Sequence, residues 1–141
     1  MKKIFVAVTF LCAMIFTTSA SAANWESLGE DNFGNEYFLD TLSVTLEEKG
    51  VDLLVFNAEF KTVFSDEGRQ VFGNENLIEV ISVCSFKQSG KAKLVSSLSS
   101  KYYAKDGTII AEDDAKSTWQ AVKPNSLLKV MYDAAYKYVK L

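Results

Sequence analysis

At positions 51–64 the chain reads VDLLVFNAEFKTVF, and apolar and polar side chains alternate along it. Leu54, Phe56, Ala58, Phe60 and Phe64 share one parity, while Asn57, Glu59 and Lys61 share the other. Successive side chains of a strand point to opposite sides, so a repeat of two marks a β-strand with one buried face. Each large apolar side chain buried there stabilises the fold by roughly 1.5–3 kcal/mol. A strand of this kind anchors a core and requires a sheet around it.

Other segments supply the neighbours. Leu77 to Phe86 reads as a second long strand with Ile78, Val80, Cys84 and Phe86 in register. In residues 93–104, Leu94, Leu98 and Tyr102 oppose Lys93 and Lys101 in parity. Lys105-Asp106-Gly107 is a hairpin signal leading into Thr108-Ile109-Ile110, with Gly107 free to take the positive φ of a two-residue turn. Shorter strands are expected around Trp25, at Tyr37 to Asp40, at Ser43 to Leu46 and at Ser117 to Val122. After Pro124 the period changes: Leu127, Met131, Ala134/Ala135 and Tyr138 recur at helical spacing, with Asn125 or Ser126 placed to cap. Asp133 stands four residues before Lys137, a pairing that suits a helix.

These elements define an α+β fold. An antiparallel β-sheet meander of about five to seven strands carries one C-terminal α-helix packed on it. A chain of 141 residues is of single-domain length.

The N-terminus stands apart. Met1-Lys2-Lys3 precedes a 13-residue run, Ile4 to Phe16, that only Thr9 interrupts, and Ala20-Ser21-Ala22 follows. That is the layout of an export signal, so residues 1–22 are expected to be cleaved and residues 23–141 to form the single domain. The run is too short to span a bilayer. No later segment approaches that length, so no integral membrane segment is expected after cleavage. Cys12 lies within the apolar run behind Phe10-Leu11, where a lipid-attachment cysteine would need small residues.

Composition narrows the chemistry. The chain contains no His, which excludes Ser-His-Asp triads, Cys-His dyads and His-ligated metals built from this chain alone. No GxGxxG, GxxxxGK[ST], CxxC or GxSxG pattern follows the signal, and none of the carboxylate pairs stands out, so no enzyme and no cofactor are expected. Glu112-Asp113-Asp114 lacks the spaced ligands of a calcium loop and reads as a solvated turn. Residues 23–79 hold 13 acidic and 3 basic side chains, residues 80–141 hold 5 and 10. Acidic strands pairing with basic ones in one sheet account for this division, and an acidic partner for the second half is the other reading. An exported chain of net negative charge is a poor nucleic-acid binder.

Several residues are candidates for contact with a protein partner. Val71 and Phe72 are the only large apolar side chains in the polar stretch 65–76. They form either an exposed loop-tip contact or a strand that folds back on the core. Lys91, Lys93 and Lys101 are the basic candidates of the second half. Tyr136 lies off the main apolar stripe of the helix. Cys84 is the lone thiol left after cleavage, open to an intermolecular disulfide or buried and inert on its strand. An open sheet edge offers a further contact, a homodimer.

Trp25-Glu26-Ser27-Leu28-Gly29 with Asp31, Gly34, Tyr37 and Asp40 begins a progression that spans nearly the whole domain. Cys84, Tyr102-Tyr103, Asp106-Gly107, Trp119 and Pro124-Asn125-Ser126 continue it. In the order of these motifs it resembles the surface-adhesin protein E-like family. The resemblance implies an antiparallel sheet with a packed C-terminal helix, in an exported protein of Gram-negative-type bacteria. It also implies binding to host extracellular-matrix or serum proteins such as vitronectin, laminin and plasminogen. Two features depart from the family. The last helix lacks the second cysteine that often tethers it to the sheet, and no lipid-attachment box is present. A periplasmic location fits the signal as well as the cell surface does. The alternative function is therefore a periplasmic protein that binds a small ligand or assists an envelope process. Trp25 and Trp119 are expected as core or edge anchors.

Overall fold

The computed structural model describes residues 23–141, and the expected export signal lies outside the described residues. Among the described residues are seven strands: β1 (Trp25–Glu30), β2 (Glu36–Gly50), β3 (Leu53–Val63), β4 (Leu77–Ser89), β5 (Ala92–Ala104), β6 (Ile109–Asp113) and β7 (Gln120–Ala121). Two helices accompany them, α1 (Asp66–Phe72) between β3 and β4, and α2 (Leu127–Tyr136) near the C-terminus. The sheet is antiparallel throughout, in the order β1-β2-β3-β4-β5-β6, with β7 also on β5. β4 occupies one edge of β5 along its length, so β7 continues the edge that β6 begins. The expected α+β meander is what the chain forms.

The alternation in β3 sets the core. Phe56 stands across from Phe86, Ala58 from Cys84 and Phe60 from Ser82, so these side chains share the face that α2 covers. Met131, Tyr132 and Ala135 of α2 are buried against Leu39, Phe56 and Phe86. The Phe56 ring stacks on Phe86 at 5.3 Å and meets Tyr132 edge-on at 5.4 Å. Ser126 caps α2 by accepting the Lys129 amide at 3.2 Å. Asp133 pairs with Lys129 at 2.6 Å, on the turn before it and not the turn after, where Lys137 stands. Tyr138 lies beyond the helix and donates to Glu26 of β1, tying the end of the domain to its start.

Four further details differ from the sequence-based expectation, each for a local reason. Residues 37–46 lie in one strand, β2, interrupted by a bulge between Asp40 and Thr45. There Asp40 Oδ1 accepts the Asn24 and Leu42 amides at 3.0 and 3.1 Å, and Ser43 Oγ accepts the Glu59 amide at 2.8 Å. Side chains thus replace the ladder where it opens. In β5 a second bulge, at Leu98, moves the pairing from Cys84–Ser97 to Val83–Ser99. Leu94 and Tyr102 therefore face opposite sides despite their common parity, and Val95 is the residue that enters the core. The Asp106-Gly107 turn has three loop residues, Ala104 accepting from Gly107 and pairing with Thr108, and Gly107 holds φ 85° in the left-handed position that follows the turn. The fourth correction concerns residues 66–72, which are neither loop nor strand but the helix α1.

The tryptophans sit at the two edges of the sheet, on the face away from α2. Trp25 in β1 carries Lys61 Nζ 4.5 Å from its ring, and Trp119 beside β7 carries Lys87 and Lys116 at 5.4 and 5.2 Å. They act as edge anchors with cationic neighbours.

Candidate functional site

α1 owes its existence to its caps. Ser65 accepts the Gly68 amide at 3.0 Å, Asp66 and Glu67 fill the first turn, and Gly73 closes the helix at φ 86°. The Gly73 and Asn74 amides both return to Arg69 O, at 2.9 and 3.1 Å. A half-buried network centred on the buried Asn35 places this helix on the sheet. Asn35 Oδ1 accepts the Ser65 amide at 3.0 Å, while its amide and side chain donate to the two Asp31 oxygens, each at 3.0 Å. Tyr37 donates to Asp31 Oδ2 at 2.6 Å. Burial, the Asp31 hydrogen bond and the Asp31 charge push the Tyr37 phenol up to about 12.

α1 and the β5–β6 hairpin then frame one end of the sheet. Between them runs an open cleft of about 840 Å³, lined by Arg69, Asn74, Glu75, Asn76, Lys105 and Asp106 over a floor of Ile78, Ala104 and Ile110. Arg69 is held in place, donating to Phe64 O at 3.1 Å and pairing with Asp66. The two hydrogen bonds that Asp106 accepts from Thr108, side chain and amide, hold its carboxyl below the usual value. Beside the cleft, sharing Asn74 and Ile110 with it, lies an apolar notch of about 170 Å³. Phe72, Leu77, Tyr102, Ile110 and Ala111 form its walls. The Phe72 ring lies 5.7 Å from Phe64 and 6.3 Å from Tyr102, yet it remains 55% exposed.

β6 completes the site. It is the last strand of the sheet path, and all five of its residues are exposed. Its outer side presents backbone donors and acceptors to solvent beside the notch, with Ile109 and Ile110 at one end and Glu112 and Asp113 at the other. Such an edge can pair with extended chain through its backbone, and a notch beside it can accept a side chain. Among the described residues no group of three His, Cys, Asp or Glu is disposed to hold a metal ion.

The sequence-derived candidates divide among three places. Val71 and Phe72 belong to this end, both exposed at the close of α1. Lys101 lies on β5 on the face away from α2, across from Glu112. Lys91 is in the exposed β4–β5 turn. Lys93 stands nearby, its Nζ 5.0 Å from the Tyr132 ring, on which Tyr136 stacks at 6.1 Å. Lys93 and Tyr136 thus meet through Tyr132, but the three lysines do not converge on one patch. Cys84 is a free thiol, 7% exposed, facing α2, and burial pushes it up to about 11.

Sequence reasoning missed Ile109, Ile110 and Tyr102 as parts of this end. It also missed the Asp31–Asn35–Ser65 network that positions α1. One signal was present: Ser65-Asp66-Glu67 followed by Gly73 is a helix start and stop compressed into nine residues. Among the described residues no helix is long and apolar enough to cross a membrane. No family model, no curated protein and no solved structure matches the chain.

Proposed function

We propose that the chain is an exported, non-enzymatic binding protein of the surface-adhesin protein E-like kind, and that it takes an extended segment of a protein partner along β6. The observation that carries this reading is the outer edge of β6, unpaired among the described residues, lying beside the notch of Phe72, Leu77, Tyr102 and Ile110. The fitting segment has an apolar side chain for the notch and basic residues toward Glu112, Asp113 and Asp114. The partner class implied by the family resemblance is host extracellular-matrix or serum protein.

The test is binding of the protein to immobilised vitronectin, laminin and plasminogen, with Phe72→Ser and Ile110→Lys beside the parent. Both sites are half-exposed, so the variants lose little in thermal midpoint while binding falls roughly tenfold or more. Unchanged binding in both variants overturns the β6 assignment. Self-association by light scattering, lost in Ile110→Lys, makes a second copy of the chain the occupant instead. Protease accessibility on intact cells addresses location. Protection until the outer membrane is opened removes host-matrix binding and leaves a periplasmic role.

A further inference from the structure

The helix-facing side of the sheet has two unlike halves. Toward the β2–β3 hairpin the rings of Phe56, Phe86 and Tyr132 fill the space under α2. Farther along, the strands present Thr62, Ser82 and Ser97, side chains too small to reach the helix, and a cavity of about 180 Å³ remains. Leu127 and Met131 of α2 roof it, Phe60 and Cys84 form its apolar floor, and Tyr37 stands at its side.

Its chemistry is mixed but uncharged. Tyr37 is bonded to Asp31, and Ser82 to Ser100 at 2.9 Å, whereas the Thr62 and Ser97 hydroxyls have no such partner among the described residues. Among the described residues no ionic side chain lines the space. An ion entering it would lose hydration without a counter-charge, so charged ligands are disfavoured. In volume it is comparable to cavities of about 150 Å³ that accept a benzene ring. A route from solvent exists as well. An open depression of about 670 Å³ between Leu28–Asn32 and the start of α2 shares Tyr37 and Leu127 with the cavity, so those two side chains form its threshold.

We propose that this cavity is a binding site for a small uncharged amphiphile of about the size of phenol, its ring between Phe60 and Met131 and its hydroxyl on Thr62. The site is separate from the β6 edge, and neither reading depends on the other.

Met131 makes the test direct, because the other two methionines, Met1 and Met14, precede the described domain. The full chain, carrying methyl-labelled methionine, is titrated with phenol, toluene and benzoate while the Met131 methyl signal is followed, assigned through Met131→Leu. Phenol shifts it saturably; benzoate binds at least tenfold more weakly. Ser97→Leu, which fills the space, removes the response. Thr62→Val, nearly identical in shape, weakens phenol roughly 3- to 10-fold and leaves toluene unchanged. An unsaturable or absent shift with phenol overturns the proposal and leaves a cavity holding water alone. So does an equal effect of Thr62→Val on phenol and toluene. Should Ser97→Leu not fold, protection of Cys84 from methyl methanethiosulfonate by phenol serves in its place. Equal rates with and without phenol count against the site.

Discussion

A Cβ added to Gly68 would stand 2.7 Å from Asn35 Cγ and closer still to Asn35 Oδ1, so the first turn of α1 and the β1–β2 connection fit together only because residue 68 has no side chain. Asn35 cannot step aside freely, since it holds both Asp31 and the Ser65 amide. Gly68→Ala is expected to cost about 1–3 kcal/mol despite the better helix propensity of alanine. Urea unfolding of Gly68→Ala, of Asn35→Ala and of the double variant measures this. The alanine penalty should largely vanish when Asn35 is already gone. A neutral Gly68→Ala would show that the network yields.

Asp31 makes the same region sensitive to acid. Burial alone pushes its carboxyl up, but hydrogen bonds from Tyr37, from the amide and side chain of Asn35 and from the Phe33 amide together hold it below its ordinary 3.8. A carboxyl lowered in the fold contributes stability above its unfolded value, and that contribution is lost as pH falls through the folded value. Asp31→Asn is therefore expected to lower the thermal midpoint at neutral pH, with the gap to the parent closing below about 3.8. Midpoints recorded across the acid range check this, and a gap of constant size would show that shape, not charge, is what Asp31 supplies.

Phe56 is 0% exposed at the centre of the ring cluster, whereas Tyr136, which meets its edge at 6.1 Å, is 43% exposed. Truncation of Phe56 to alanine should cost about 3–5 kcal/mol. Tyr136→Ala removes a half-exposed ring and should cost distinctly less. Denaturant midpoints of the two variants rank them. Equal losses would mean that Tyr136 secures α2 as firmly as the core does.

The thiol of Cys84 should be silent in the folded protein. With its titration pushed to about 11 and little surface exposed, alkylation by iodoacetamide at mildly alkaline pH should be slow, then rise with urea in step with unfolding. Rapid alkylation without denaturant would show that a reagent reaches the thiol in the folded state, through the cavity or by an opening of α2.

The strands were legible where one face is buried. In β3 the repeat of two survives unbroken from Leu54 to Phe60, and parity alone put Phe86 and Cys84 on one face of β4, the face that meets Phe56 and Ala58. Parity misled in β5, because a bulge at Leu98 inserts one residue into the count, and neither Leu98 nor its serine neighbours advertise it. α1 escaped because its seven residues carry too little apolar periodicity, its stability coming from caps and from Asn35, thirty residues before Ser65. The site suffered likewise. Val71 and Phe72 could be singled out as apolar residues in polar surroundings, but Tyr102, Ile109 and Ile110 join them only through the pairing of β5 with β6. The cavity by Cys84 is written in the sequence as three unremarkable hydroxyl residues on separate strands.

Because each strand through β6 pairs with its neighbour in sequence, the sheet can assemble strand by strand through contacts between sequence neighbours. Its apolar cover comes last: Met131, Tyr132 and Ala135 follow every strand they protect, and the Tyr138–Glu26 bond joins groups 112 residues apart. Until α2 docks, Phe56, Phe60 and Phe86 remain bare on a sheet already able to form. The folding chain is thus most exposed to self-association between sheet assembly and helix docking, and a chaperone that shields extended apolar surface would matter most in that interval.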